Sequence, residues 1–400
     1  MAFSANDHLY MTRALQLAEQ GLFTTRPNPR VGCVIVKDGA IVGEGTHLKA
    51  GEPHAEVFAI QQAGAAAKGA TLYVTLEPCS HTGRTPPCSQ AIVNAGISKV
   101  IAAMQDPNPL VSGSGLAHLQ AHGIETASGL MQAQAEALNP GFILRMTRQT
   151  PFVRSKIAAS LDGKTALNNG ASQWITSEQA RLDVQYWRAR SCAILTGIGT
   201  VLADNPSMTV RASTPSPLMG EPAFGFPASV GAKAPNAGVK GWGEGGTGRQ
   251  PLRVIVDSDL KIPIDAKILQ GGNVLVAFTN DAQNKSTALL NAGAQLLCIP
   301  NEQNKVCLET LLSHLAAREI NEVLVEAGEG LNGALLAQNL IDELLIYYAP
   351  KLMGSAAKGM LALPELIAMN QAIDLQILDM RQIGVDIRLR AKPVFRSVLK

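Results

Sequence analysis

Gly51-Glu52-Pro53-His54-Ala55-Glu56, followed by Thr75-Leu76-Glu77-Pro78-Cys79-Ser80-His81 and then Pro86-Pro87-Cys88, decides how the first third of this 400-residue chain is read. One imidazole and two thiols supply three ligands for a zinc ion, and a tetrahedral ion then keeps its fourth position open for water. Glu56 stands two residues from His54, placed to move protons on and off that water. A structural zinc would take four protein ligands, with His81 as the fourth, and would have no use for Glu56. Two buried free cysteines would leave Glu56 equally without a role.

The order H-x-E and then P-C is that of zinc-dependent nucleobase deaminases, whose glutamate is not a ligand. The usual second half is P-C-x-x-C, whereas Cys88 follows Cys79 by nine residues. The flanks fit the chemistry. Ala70–Thr75 predicts a strand. Pro53 stands where a first-turn proline would, at the start of a helix carrying His54 and Glu56. Thr85 and Pro87 lead into a second helix beginning near Cys88. A helix N-terminus favours a thiolate.

Working outward, Asp7–Gly21 predicts a helix with Asp7 as its cap. Val31–Val36 and Ile41–Glu44 predict a hairpin turning on Asp38-Gly39. Strands at Lys99–Met104 and Ile124–Thr126 flank a helix over Gly115–Ala121. These elements make an α/β layered domain that ends near residue 148. The second half is also α/β. Its strands are expected at Phe152–Ile157, Cys192–Leu195, Val254–Val256, Val274–Phe278, Gln295–Ile299, Glu322–Val325 and Leu344–Tyr348, with Asp386–Leu389 closing the sheet. Helices are expected over Ser177–Arg190, Leu308–Arg318 and Leu331–Asn339. Ala212–Gln250 holds 9 Gly and 5 Pro without a period, which reads as a surface insertion or a lid.

Two G-x-G-x-x-G stretches occur. Gly243–Gly248 lies in the insertion, has no helix after it, and is set aside. Gly328-Glu329-Gly330-Leu331-Asn332-Gly333 follows a strand and opens a helix, the setting in which glycines admit a phosphate to backbone N–H groups. No carboxylate follows the next strand to take a ribose 2′-hydroxyl, so an NAD-type site is not expected and NADP is compatible.

A net charge of +2, with its 34 Lys and Arg scattered, excludes an electrostatic footprint for nucleic acid. Six cysteines in a chain of this length are no disulfide framework. Cys33, Cys192 and Cys298 lie in strand-like segments and are expected to be small buried hydrophobes. No signal peptide and no membrane-spanning run is present, so the expected compartment is cytoplasmic, with no membrane and no nucleic-acid partner. A homo-oligomer is expected.

Taken together, the motifs resemble the bifunctional deaminase/reductase family of bacterial riboflavin biosynthesis. The N-terminal match rests on Pro27-Asn28-Pro29-x-Val31-Gly32 and on the ligand stretches through Cys88. The C-terminal match rests on Lys156-x-Ala158-x-Ser160-Leu161-Asp162-Gly163-Lys164, Ser172-Gln173-Trp174-Ile175-Thr176, Gly199-Thr200-Val201-x-x-Asp204-Asn205-Pro206 and Val325-Glu326-Ala327-Gly328. The resemblance implies a cytidine-deaminase-like three-layer domain over residues 1–148 and a dihydrofolate-reductase-like α/β domain over 149–400. It implies zinc and NADPH as cofactors. The substrate would be the phosphorylated pyrimidine 2,5-diamino-6-ribosylamino-4(3H)-pyrimidinone 5′-phosphate, deaminated first and then reduced in its ribosyl chain.

The same resemblance assigns residues. Zinc is held by His54, Cys79 and Cys88, with Glu56 catalytic. Asn28, His81 and Arg84 contact the first substrate, and Arg84 suits its phosphate. NADPH runs along Ala158, Trp174, Thr200, Asp204, Ser258 and the turn from Gly328 through Glu329, Gly330, Leu331, Asn332 and Gly333 to Ala334. Ser172, Arg188, Met208, Arg211 and Glu326 meet the second substrate, Arg188 and Arg211 as phosphate clamps. Either Lys156 or Asp204 protonates the opened sugar. A deaminase acting on tRNA or cytosine would account only for residues 1–148. A binding scaffold with structural zinc would leave Glu56 and the phosphate turn unexplained.

Overall fold

The computed structural model describes residues 3–80, 87–109, 111–211 and 249–395. They form two compact units, divided between Gln149 and Thr150. His81, Arg84, the Gly243–Gly248 stretch and residues 212–248 of the expected insertion lie outside the described residues.

The first unit begins with helix α1 (Ala5–Glu19). Its cap is Ser4, not Asp7. Ser4 Oγ accepts from Asp7 N–H while the Asp7 carboxylate accepts from Ser4 N–H, a reciprocal capping box in which Asp7 is the third helical residue. Strands β1 (Gly32–Lys37) and β2 (Ala40–Thr46) then form the expected hairpin. Asp38 and Gly39 both take positive φ, as such a two-residue turn requires. There follow α2 (Ala55–Ala63), β3 (Thr71–Val74), α3 (Cys88–Asn94), β4 (Lys99–Ala102), α4 (Ser114–Ala121), β5 (Glu125–Ser128), α5 (Gln132–Leu138) and α6 (Pro140–Arg148). The sheet order is β2-β1-β3-β4-β5, antiparallel through β3 and parallel beyond it.

Side chains alternate across β1, so Val34 and Val36 face one layer of helix while Cys33 and Ile35 face the other. Glycine brings α2 onto the second face. A Cβ at Gly45 would stand 1.9 Å from the Ala55 carbonyl oxygen, and one at Gly43 2.2 Å from that of Ala59. Only a bare backbone lets the helix bearing Glu56 lie that close to the sheet. Pro53 is not in the first turn of α2: His54 is the cap, in extended conformation, and Pro53 precedes it. Pro140 opens α6, where its missing N–H costs nothing.

The second unit contains β6 (Phe152–Ser160), β7 (Lys164–Ala166), α7 (Glu178–Arg190), β8 (Ala193–Gly197), α8 (Ile198–Asp204), β9 (Leu252–Val256), β10 (Val274–Phe278), α9 (Ser286–Asn291) and β11 (Ala294–Cys298). It continues with α10 (Leu308–Ala317), β12 (Glu322–Val325), α11 (Glu329–Ala337), β13 (Glu343–Ala349), β14 (Lys358–Gly359), β15 (Asp374–Ile383) and β16 (Asp386–Val394). The main sheet has nine strands in the order β11-β10-β9-β8-β12-β6-β13-β16-β15, parallel from β11 to β13. Strand β16 does not close the sheet as expected from Asp386–Leu389. It pairs with β13, and the edge is taken by β15, most of whose residues are exposed. Helices α10 and α11 cover one face of the sheet, while α7 and α9 cover the other. Cys33 is fully buried as expected, but Cys298 is exposed, because it ends the edge strand β11.

Where β6, β12, β13 and β16 run side by side, the core is ionic. Arg154 donates to Glu343 at 2.9 Å and to Glu322 at 3.3 Å, and Arg390 and Arg190 take the remaining sides of the two carboxylates. The guanidinium of Arg154 also lies 4.6 Å from the ring centroid of Trp187 on α7. Burial alone would raise the Glu343 carboxyl, but the two arginines overcome it and hold it down at about 2.

Two stability predictions follow from this packing. Gly45→Ala should cost about 1–3 kcal/mol through overpacking against α2, read as a lower urea midpoint for the first unit. Arg154→Met should cost about 3–5 kcal/mol in the second unit, because it strips a charge from two buried carboxylates. An unchanged denaturation midpoint would contradict either one.

Candidate active sites

The first site lies where α2 and α3 begin. His54 caps α2, Cys88 opens α3 behind Pro87, and Cys79 sits in the turn after β3. His54 Nδ1 is 3.2 Å from Cys88 Sγ and 3.6 Å from Cys79 Sγ, and the backbone N–H of Cys88 donates to Cys79 Sγ at 3.4 Å. All three donor atoms lie within 4.8 Å of one another, the only such trio among the described residues. The contact with Cys88 draws the Cys79 thiol down to about 4, and the same contact pushes Cys88 up. Thiols must be deprotonated to hold a metal ion. One nitrogen and two soft sulfurs with an open side suit zinc in a catalytic setting.

Glu56 is 3 % exposed, and its Oε2 has no hydrogen-bond partner among the described residues. Burial pushes the carboxyl up to about 7. An unpartnered carboxylate oxygen in the interior is expensive unless a ligand completes it. Below the trio, the buried Glu77 carboxylate accepts N–H groups of Asp106, Gly113, Gly115 and Leu116, which fixes the turn beside Pro78 to the start of α4. Asn28 Nδ2 donates to His47 Nε2 at 3.1 Å, and the His47 ring meets that of His54 edge-on, centroids 5.2 Å apart. His47, buried and adjacent to the ligand set, carried no motif in the sequence and is found only through the fold.

The second site is a cavity of about 1290 Å³ at the C-terminal ends of the parallel strands, where open α/β sheets bind their ligands. It brings together residues far apart in sequence. Lys156, Ala158, Ser172, Trp174, Thr200, Asp204, Met208, Arg211 and Ser258 all line it. Gly328, Glu329, Gly330 and Leu331 form the turn in its floor, with Gly328 as the cap of α11. A Cβ at Gly328 or Gly330 would meet nothing within 4 Å, so both face open space. That is a cradle a phosphate fits and a side chain would fill.

The last three residues of the turn do not line the cavity. A Cβ at Gly333 would strike the Ala362 carbonyl at 2.1 Å, and Asn332 is buried, bonded to Ser155 and Ala327. Ala334 packs into the core. Arg188 is not a free clamp. It grips Glu326 in a two-pronged pair at 2.6 and 2.9 Å and donates to the Thr209 carbonyl. Arg211 is exposed, so its charge faces the cavity unpaired by any hydrogen bond of its side chain among the described residues. Lys156 stands beside the pair; burial first, then the Arg188 charge, pull its ammonium below the usual lysine value despite Glu326. Trp174 is 61 % exposed, with the Arg181 guanidinium 4.5 Å from its ring centroid. Arg181 is a cavity residue that no sequence motif singled out. Val210 and Gln250 are joined by two hydrogen bonds, so the chain flanking the expected insertion leaves and returns at one point.

Two family models match. Residues 4–104 fit the cytidine and deoxycytidylate deaminase zinc-binding region, and residues 151–389 fit the RibD C-terminal domain. Among curated relatives, the riboflavin biosynthesis protein RibD of Escherichia coli is 47 % identical over 384 residues, covering 96 % of this chain and 98 % of that one. RibD of Haemophilus influenzae is 45 % identical, covering 98 % and 99 %. Among solved structures, Acinetobacter baumannii RibD superposes with a TM-score of 0.83 at 43 % identity, covering 98 % of this chain and 99 % of that one. A deaminase/reductase from Thermotoga maritima gives 0.78 at 31 %, covering 97 % and 99 %.

A deaminase-type metal centre and a separate cavity in a reductase-like unit, carried on one polypeptide, define a bifunctional deaminase/reductase. The chain belongs to the RibD family of riboflavin biosynthesis proteins.

Elemental analysis tests the first site directly. Cys88→Ala should lose the metal, while Glu56→Gln, which removes no ligand, should retain one zinc per chain. Full occupancy in Cys88→Ala would refute the ligand set.

Proposed function

We propose that residues 1–148 remove the 2-amino group of 2,5-diamino-6-ribosylamino-4(3H)-pyrimidinone 5′-phosphate, and that residues 149–400 then reduce the ribosyl chain with NADPH. The product is 5-amino-6-ribitylaminouracil 5′-phosphate. The observation that carries the first half is the buried Glu56 oxygen without a partner beside the His54–Cys79–Cys88 trio.

Zinc on that trio would supply the Lewis acidity that makes water a nucleophile near neutral pH. Glu56 takes one proton from the attacking water and passes it to the ring nitrogen, then takes the second from the hydroxyl so formed and delivers it to the amine, which leaves as ammonia while the hydroxyl becomes the carbonyl. Its burial keeps the proton's affinity near the working pH, where a general acid/base is most effective. Asn28 orients the pyrimidine, with His81 and Arg84 as further contacts and Arg84 on the phosphate.

The second unit would hold NADPH, which when bound would supply a hydride: the Gly328–Leu331 turn would take its phosphates by backbone N–H groups, and Ala158, Trp174, Thr200, Asp204 and Ser258 would seat the rest. Ser172, Met208 and Arg211 receive the substrate, with Arg211 the free cation for its phosphate. The Arg188–Glu326 pair is a fixed wall that Lys156 leans on. Of the two groups proposed to protonate the opened sugar, Lys156 is favoured: its ammonium has no hydrogen-bond partner among the described residues, and its proton is loosened by burial. The chain acts in the cytoplasm on a small phosphorylated pyrimidine, as a homo-oligomer. No helix among the described residues is long and apolar enough to cross a membrane.

Ammonia release followed by loss of NADPH absorbance on one purified preparation tests both halves. Glu56→Gln should slow ammonia release by about 10²–10⁴-fold and leave NADPH oxidation with the deaminated substrate near the parent rate. Ammonia release above a tenth of the parent rate would sink the proton-shuttle role, on the scale of roughly 1.4 kcal/mol per tenfold.

Lys156→Met should do the reverse, with NADPH binding retained. A general acid works only while protonated, so reductase turnover should fall as pH rises through the Lys156 value. With that value depressed, the alkaline limb should lie below the ordinary lysine value of about 10.4. A profile flat through that range, in parent and variant alike, would remove Lys156 from the mechanism.

A further inference from the structure

Helix α7 gives one face to the cavity and rests its other face on the C-terminal hairpin of β15 and β16. Arg181, Gln185 and Arg188, a helical turn apart, line the cavity. On the buried face Ala180, Val184 and Trp187 pack with Ile383, the last residue of β15. The hairpin grips α7 at two heights. In mid-helix the buried Asp183 pairs with Arg388 of β16 at 3.0 Å and accepts from the Tyr347 hydroxyl and the Trp187 indole N–H. At the first turn, Asp386 Oδ2 accepts from the Ser177 N–H at 2.8 Å and from the Ser177 hydroxyl at 2.6 Å. There Gly384, in the β15–β16 turn, lies so near the helix that a Cβ on it would stand 3.1 Å from that of Gln179.

The first-turn contact is more than the helix itself needs. Ser177 already caps α7, its Oγ accepting the Ala180 N–H. Asp386 adds a buried carboxylate whose Oδ1 has no hydrogen-bond partner among the described residues. Such a group is costly in the interior, even beside the positive end of a helix. What the structure gains is a fixed Ser177 backbone, and Ser177 directly follows the segment Ser172–Thr176, all of which lines the cavity. Trp174 is exposed, so burial does not hold its ring and its backbone must set its place. Two tethers act on that backbone from other sides. Lys351 Nζ donates to the Trp174 carbonyl at 2.8 Å, and Arg181 donates to the Thr176 carbonyl at 2.8 Å while its guanidinium covers the Trp174 ring. Asp386 supplies the third point of attachment, at the end of the segment where the helix begins.

We propose that Asp386 is a positioning residue of the reductase: by holding Ser177 it fixes the Ser172–Thr176 segment, and with it the Trp174 ring on which the dinucleotide is seated. Asp386 does not itself line the cavity. The Asp183–Arg388 anchor keeps the body of α7 in place, so loss of Asp386 frees the first turn and the segment ahead of it and leaves Arg188 where it is. This rests on the reductase reading of the second unit, in which Trp174 seats NADPH. It adds to that reading a residue 209 positions along the chain from the serine it holds.

A double-mutant cycle on NADP⁺ affinity, read by calorimetric titration of the full chain, tests the assignment without turnover. Asp386→Ala should weaken NADP⁺ by about tenfold in the parent and by less than about twofold in a Trp174→Ala background, because a residue that acts through Trp174 then has nothing to act on. Ser177→Ala removes the hydroxyl of the same contact from the helix side and should show the same pattern, which keeps the test decisive where Asp386→Ala does not fold. An equal loss in both backgrounds would make the contact a matter of stability alone and overturn the proposal. So would an affinity that neither Asp386→Ala nor Ser177→Ala changes. A Trp174→Ala chain that binds NADP⁺ as tightly as the parent would overturn it too, with the reductase reading intact. A parent chain that does not bind NADP⁺ would overturn both.

Discussion

A carboxyl group buried in a protein interior with an oxygen lacking any partner is a standing cost of a few kcal/mol, and the first unit is built around tolerating it at Glu56. Three features meet there. Glycines on β2 bring α2 against the sheet, so Glu56 is carried inward and not onto a solvated helix face. His54 precedes the helix in extended conformation, which turns its ring toward the start of α3. The Glu77 carboxylate, bonded to four backbone N–H groups, holds the chain beside Cys79. Remove the close approach of α2 and the ligand trio and the proton carrier separate together. Stability is spent where the reaction uses it.

The second unit handles charge differently. Arg154, Glu322 and Glu343 are among its most buried side chains, paired so completely that they serve as a rigid ionic core beneath the sheet. At the C-terminal ends of the same strands the pairing is partial. Arg188 is satisfied by Glu326, whereas Lys156 and Lys305 have no hydrogen-bond partner among the described residues. Full pairing gives structure, and the unpaired cations face a cavity large enough for two anionic ligands. Each unit therefore leaves unfinished polar groups where a ligand completes them.

Much of this was legible in the chain. The hairpin at Asp38-Gly39 followed from two residues that tolerate positive φ, and the strands and helices from apolar period and capping residues. His54, Cys79 and Cys88 were readable because zinc chemistry restricts ligand types and because proline marks where each ligand-bearing helix begins. The errors were also physical. Asp7 was taken for a cap because a capping box places an acid three residues inside the helix, as easily as at its start. Strand β15 is broken by a register shift between Ile377 and Asp379, which interrupts its apolar alternation, and as an edge it leaves most of its residues exposed.

The sequence by itself determined which atoms could do chemistry: one imidazole, two thiols, a neighbouring carboxylate, and a glycine turn between a strand and a helix. Those properties reside in residue type and short spacing, which backbone geometry translates locally. Only the tertiary structure decided which charges are already paired. Arg188 and Glu326, 138 positions apart, form a two-pronged pair, whereas the Lys156 ammonium beside them has no hydrogen-bond partner among the described residues. It also decided that Gly333 serves packing while Gly328 and Gly330 face open space. The reason is that pairing and close approach depend on distance through space, and the order of strands in a sheet, not their order along the chain, sets that distance.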